Sequence, residues 1–202
     1  MANQDAAFGF RQVGGLGSRP TNEGTSKYVI ASGYTSAIYA GDIVAMGAAT
    51  DESGAAISAG YVGQAAATSE TRNLGIFNGC FYEDPTTKKP TFKNYWPGDV
   101  TTTSPSAGPT AFVYDNPDDL FEVQSSGTLS QAIVGRGIDM AYTTGATING
   151  RSKEEIAASA TADGSLCVVR ISEDPSNSDV ANDNANWIVK FNEHMYYNYS
   201  AQ

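Results

Sequence analysis

Large apolar side chains come in short runs along this chain, and each run stops at Gly, Pro, Asn or Asp. The densest stretch is Leu74–Gln124, which holds Phe77, Phe81, Tyr82, Phe92, Tyr95, Trp96, Phe112, Tyr114 and Phe121. Short aromatic and β-branched runs punctuated in this way predict antiparallel strands joined by tight turns. Leu74–Tyr82 reads as a strand interrupted at Asn78-Gly79, by a hairpin turn or a bulge. Asp84-Pro85-Thr86-Thr87 reads as a turn, and Thr91–Trp96 as the next strand. Ala111–Tyr114 and Leu120–Gln124 read as paired strands around DNPDD. Phe77, Phe81, Phe112 and Phe121 are expected in the core. Tyr82, Tyr95 and Trp96, near turns, are expected to reach an interface.

The pattern elsewhere is similar. KYVIA, SAIYA and DIVAM read as strands from Lys27 onward, and Leu166–Ile171 and Trp187–Phe191 as two more. Residues 47–73 are rich in Ala, Ser and Gly and read as a loop with short strands near Ala56–Ile57 and Tyr61–Val62. Asp163-Gly164 reads as a hairpin turn. One helix is predicted, Thr128–Met140: Leu129, Ile133 and Val134 give it an apolar face, and Gly135 and Gly137 end it early. Residues 153–160, KEEIAASA, suit a helix or an extended loop equally. Residues 1–26 read as an extended N-terminal arm ahead of a single β-rich domain, 27–202. Glycines and a proline from Gly14 to Gly24 oppose a regular element there. Such an arm is either a solvated tail or a segment that docks Phe8 and Phe10 into a neighbouring subunit; two aromatics favour docking.

Composition narrows the function classes. A chain of 202 residues can bury a core without disulfides. The net charge of −10 and scattered lysines and arginines argue against binding nucleic acid through its phosphates or an anionic membrane surface. Cys80 and Cys167 sit in apolar runs and read as buried thiols in no zinc pattern. The N-terminus lacks a signal peptide's basic start and apolar core, and no apolar run approaches the roughly 20 residues of a membrane span. The protein is thus expected to be made soluble and to stay in the compartment of synthesis unless it leaves on a larger particle.

Catalytic schemes find little material. A single histidine, His194, cannot build a multi-histidine metal site. No Gly-x-Ser-x-Gly elbow and no P-loop lysine motif occurs. Two acidic clusters, Asp115/Asp118/Asp119/Glu122 and Glu173/Asp174/Asp179/Asp183, read as solvated turns with Asx capping rather than as a calcium loop or an acid–base pair. No catalytic, cofactor or metal residue is therefore assigned. Tyr196, Tyr197 and Tyr199 suit an oligomer interface, where polar-tipped aromatics are enriched. Arg151, in the INGRS loop, suits an interfacial salt bridge.

Taken in order, AAFGFRQVGG, SKYVIASGYTSAIYAGDIVAM, LGIFNGCFYEDPTTKKPTFKNYWP, AFVYDNPDDLFEVQ, INGRS and VKFNEH resemble the head decoration (cement) proteins and related capsid structural proteins of tailed bacteriophages. The resemblance implies an all-β fold of barrel, β-tulip or jelly-roll kind. It implies no enzymatic activity, a homo-oligomer (a trimer), and a place on the outside of the virion head, after assembly in the host cytoplasm. The implied partners are the major capsid protein and other copies of the chain. Capsid or subunit contacts are expected at Phe8, Phe10, Arg11, Arg19, Arg151, Tyr196, Tyr197 and Tyr199. A carbohydrate-binding module or surface adhesin on a β-sandwich is the alternative, and a hydrolase using the acidic clusters a remoter one.

Overall fold

Asn73–Glu83 is the longest strand, with 11 residues, and it carries the fold's most informative irregularity. Its partner strand Thr110–Tyr114 pairs Phe112 with Gly79 and then Val113 with Phe77, so Asn78 is passed over as a bulge. The extra residue resets the alternation of side chains. Phe77, Cys80 and Tyr82 turn inward, while Asn78 and Phe81 face out. Gly75 makes a close approach possible. Its φ is +156°, and a Cβ there would lie 2.0 Å from the Tyr114 carbonyl oxygen, so no side chain fits.

The computed structural model describes residues 2–17, 24–47, 49–67, 73–102 and 108–197. Its strands, in chain order, are β1 (Arg11–Gly15), β2 (Ser26–Val29), β3 (Ile38–Tyr39), β4 (Ile43–Met46), β5 (Ala49–Thr50), β6 (Ala56–Ile57), β7 (Val62–Gln64) and β8 (Asn73–Glu83). They continue with β9 (Pro90–Lys93), β10 (Tyr95–Trp96), β11 (Thr110–Tyr114), β12 (Asp119–Gln124), β13 (Gly137–Ala141), β14 (Glu155–Ala160), β15 (Leu166–Ile171) and β16 (Asn186–Phe191). The protein is all-β and its strand pairs are antiparallel. One sheet runs β1-β12-β16-β15-β13-β14, and a second runs β2-β11-β8-β4-β7 with β9 added to β8. Among the described residues neither sheet closes into a barrel. An isolated bridge between Ser125 and Ile156 brings β14 back beside the end of β12 without sealing the sheet.

One hydrophobic cluster joins both sheets, from Ile43, Phe77 and Trp96 to Phe121, Trp187 and Phe191. Phe121 and Phe191 meet edge to face at 5.6 Å. Burying aromatic and aliphatic side chains of this size contributes roughly 1.5–3 kcal/mol each, so the core needs no covalent support. Cys80 is buried and free, and Cys167 is half-buried and free. Burial pushes the Cys80 thiol up to about 12, which leaves it protonated and inert.

Several expectations are corrected. Thr128–Met140 is not an α-helix: it is a single 3-10 turn at Gln131–Ile133 followed by strand β13. Gly135, at φ +80°, turns the chain away from the helix, and its amide donates to the Val168 carbonyl (2.8 Å). Leu129 and Ile133 still reach the core, so the apolar residues were real but the period was not helical. In the ambiguous segment at 153–160, Glu155–Ala160 forms strand β14. DNPDD does not join a hairpin: β11 and β12 lie in different sheets, and this turn carries the chain between them. Asp163-Gly164 connects β14 to β15, which flank β13 instead of pairing with each other.

Phe77 and Phe121 are core as expected, but four other aromatic assignments invert. Tyr82 and Trp96 are 3% and 0% exposed, whereas Phe81 is 45% exposed. Phe112 is half-buried on the outer face. Nearness to a turn does not decide which way a strand residue faces; the bulge at Asn78 does.

Candidate interaction site

The N-terminal arm folds against its own domain. Asn3 Nδ2 donates to the carbonyls of Asp179 (2.9 Å) and Asp183 (2.8 Å), and the Gln4 amide donates to Asn177 Oδ1 (2.9 Å). The Ala6 amide donates to Gln124 Oε1 (3.0 Å). Further on, the Phe10 amide donates to the Gly41 carbonyl (2.9 Å), and Phe10 enters the core at 3% exposure. Docking of Phe10 into a neighbouring subunit is thereby corrected: its pocket lies in its own chain. Arg11–Gly15 then pairs with β12, so part of the arm is an edge strand.

A second segment locks beside the same corner. The Ala40 amide donates to the Gly150 carbonyl (3.0 Å), and the Ser152 amide to the Ala40 carbonyl (2.9 Å). Asn149 Oδ1 accepts from the Arg151 amide (3.1 Å), and Asn94 Nδ2 donates to the Asn149 carbonyl (2.7 Å). Gly9, at φ +74°, lets the arm pass directly over this loop; a Cβ there would lie 2.4 Å from the Ser152 Cβ. The INGRS loop and the arm are held side by side as a result.

Between them lies a cavity of about 400 Å³. Four of the residues singled out from the sequence line it: Phe8, Phe10, Arg11 and Arg151. Asn78, the bulged residue of β8, and Asn94 complete its polar wall. The Arg11 guanidinium lies 5.0 Å from the Phe8 ring centroid and is paired with the Glu122 carboxylate. Glu122 is buried and also accepts from Ser172 Oγ (2.6 Å), so Arg11 has a fixed root. Arg151 is exposed and has no ion-pair partner among the described residues. Two guanidinium groups thus flank one slot on a chain of net charge −10. Guanidinium forks suit carboxylates.

Beneath the slot sit two buried carboxyl groups that sequence inspection missed. Asp42 Oδ2 accepts from the Tyr39 amide (2.7 Å) and Gln64 Nε2 (3.3 Å); Glu154 Oε2 accepts from the Ile43 amide (2.9 Å). Burial lifts the Asp42 carboxyl to about 6, against the pull of its hydrogen bonds. Burial, with the charge of Asp42 second, lifts Glu154 well above the usual carboxylate range. Both are fully enclosed, so no substrate reaches them. Spacing gave no signal for this pair, since the two residues are far apart in the chain.

The other expected contact residues lie elsewhere. Tyr196 and Tyr197 are half-exposed; the Tyr196 hydroxyl meets Tyr28 Oη (2.6 Å), and Tyr197 Oη donates to Asp118. Tyr28 also donates to Asp115 (2.6 Å). Arg19 and Tyr199 lie outside the described residues. The reading of both acidic clusters as solvated turns is corrected for Asp119 and Glu122, which are buried in β12, Asp119 accepting from Asn116 and from Gln12 of the arm; Asp174 accepts from the Ser176 amide, and Asp179 from the Ala181 amide and Asn182. Among the described residues no group of three His, Cys, Asp or Glu is placed to hold a metal ion. His194 is buried against Phe191, and burial lowers its imidazole below the ordinary value.

No family model, curated protein or solved structure matches this chain.

The groove presents cations, amides and an aromatic ring, with no nucleophile beside a base. Its two guanidinium groups are of the kind that pairs with carboxylates.

Proposed function

We propose that the protein is a non-enzymatic structural component of a phage virion, which decorates and cements the outer surface of the head by bridging major capsid protein subunits. The observation that carries this reading is the convergence of Phe8, Phe10, Arg11 and Arg151 on one groove. These residues come from two of the stretches that resemble cement proteins, 130 residues and more apart, and the fold brings them together. In this reading the groove receives an acidic segment of a neighbouring capsid subunit, and three copies of the chain come together only on the head surface, as in the family it resembles. A shallow groove gives a weak contact on its own. An oligomer that engages several subunits at once raises the effective concentration of each further contact to about millimolar, which makes occupancy high.

The carbohydrate-binding alternative draws on Phe8, Asn78 and Asn94, which could stack on and hydrogen-bond a sugar. It is the weaker reading because Trp96 and Trp187 are fully buried and offer no platform.

The test is add-back. Heads assembled without this protein are incubated with purified wild type or with the Arg11→Ala/Arg151→Ala variant, then pelleted. Wild type should saturate the heads, and the variant should lose at least tenfold in affinity. Equal binding by both would discard the groove as the docking site, and no binding by either would discard the decoration reading.

A further inference from the structure

On the second sheet, strand register places a row of side chains on one face. Val29 pairs with Thr110, Thr110 with Phe81, and Phe81 with Phe92, so the row crosses β2, β11, β8 and β9. Directly paired residues share a face. Three members of this row are large and exposed: Val29 at 41%, Phe81 at 45% and Phe92 at 61%. In the adjacent row Phe112 pairs with Lys27 and with Gly79, and the Phe92 ring leans over the gap above Gly79 to meet Phe112 at 5.9 Å. The result is one continuous apolar patch, where scattered single apolar residues would need no explanation.

We infer that this face is a self-association surface on which two copies of the chain pair about a two-fold axis. The rim supplies the reason. Glu83 and Lys27 are both exposed and both lie on this face. Glu83 stands one strand to one side of Thr110 and one row ahead; Lys27 stands one strand to the other side and one row behind. Thr110 is therefore midway between opposite charges. A two-fold axis lying along the face at Thr110, across that diagonal, sets each copy's Glu83 against the other's Lys27. The same operation sets Phe81 over Phe112. An isologous contact requires a patch complementary to itself, and an apolar centre with opposite charges at opposite corners meets that requirement. A partner of different composition would not need both signs on this one face.

The patch is small. Four strands about 4.8 Å apart and a few alternate residues deep give roughly a third of the ~800 Å² per partner of a standard interface. The pair is accordingly weak, with a dissociation constant on the order of 100 µM. The inference is independent of the groove and of the virion reading, because it concerns the free chain in solution.

Sedimentation equilibrium of the full chain from 10 µM to 1 mM, on the order of the range where such a contact fills, tests it. Wild type should move from monomer to dimer. Phe81→Ser/Phe92→Ser should be monomeric throughout, with unchanged circular dichroism. Glu83→Lys alone and Lys27→Glu alone should each weaken pairing by about three- to tenfold, two ion pairs being lost per dimer; Glu83→Lys/Lys27→Glu together should restore it. A wild type that stays monomeric, that forms only a trimer, or that dimerises regardless of the Phe81/Phe92 substitutions overturns the inference. So does a charge swap that fails to restore pairing. Head binding by the Phe81/Phe92 variant, measured separately, reports on the decoration reading alone.

Discussion

The carboxyl groups of Asp42 and Glu154 are both fully buried beneath the arm, and Glu154 keeps one oxygen without a hydrogen-bond partner. Two buried carboxylates cannot both stay ionised at low cost. A proton held on Glu154 removes the conflict, and burial raises both groups in that direction.

This gives a pH dependence with a definite sign. Acids whose folded values are raised stabilise fully below the ordinary carboxylate range, and the contribution is lost as pH rises through the folded values. For Asp42 that window runs from about 4 to about 6, and Glu154 extends it upward. A shift the size of Asp42's corresponds to on the order of 3 kcal/mol. His194, whose value is lowered, acts oppositely and removes stability only as pH falls through about 6.5. Urea unfolding from pH 5 to pH 8 should show stability falling with pH in wild type relative to Glu154→Gln, which keeps a neutral side chain in place. Parallel profiles would refute a proton held on Glu154.

The arm is part of the folded core. Phe10→Ala should cost about 3–5 kcal/mol, as large-to-small core substitutions do. Gly9→Ala should cost about 1–3 kcal/mol through its positive φ and the clash with Ser152. Deleting residues 2–20 removes β1 as well as Phe10, so the truncated chain should unfold at a lower urea midpoint rather than remain a stable domain. A truncation as stable as wild type would show that the arm's contacts contribute nothing.

The inverted strand faces make a contrast that thermal melts can read. Trp96→Ala should cost about 3–5 kcal/mol, because the ring is fully enclosed and its Nε1 donates to the Tyr34 carbonyl (3.2 Å). Phe81→Ser at low protein concentration should stay within about 0.5 kcal/mol of wild type. Similar losses for both would mean that Phe81 is a core residue after all.

Much of this architecture is legible in the sequence. The runs around Lys27–Val44, Leu166–Ile171 and Trp187–Phe191 are strands because apolar residues repeat between turn residues at strand length. Pairing was less legible. DNPDD looks like a hairpin loop, but nothing local states that β11 and β12 join different sheets, since pairing is decided by distant partners. The Thr128–Met140 error has the same origin: Leu129 and Ile133 fit a helical period, yet the backbone satisfies its hydrogen bonds with β15. Phe8, Phe10, Arg11 and Arg151 stand out in the sequence as aromatics and arginines beside glycines. Their meeting depends on Gly9 and Gly41 letting two segments cross closely, which no periodicity reveals. The exposed row Val29–Phe81–Phe92 needed the bulge at Asn78, whose presence the sequence indicated but whose effect on facing it did not.

Electron cryomicroscopy of virions purified from the source that encodes this chain tests the proposed decoration role most directly. The account predicts density for this fold on the outer surface of the head, with the groove between Arg11 and Arg151 occupied by a segment of a neighbouring capsid subunit. Particles that lack the chain, or that carry it inside the head or in the tail with the groove facing solvent, would contradict the account.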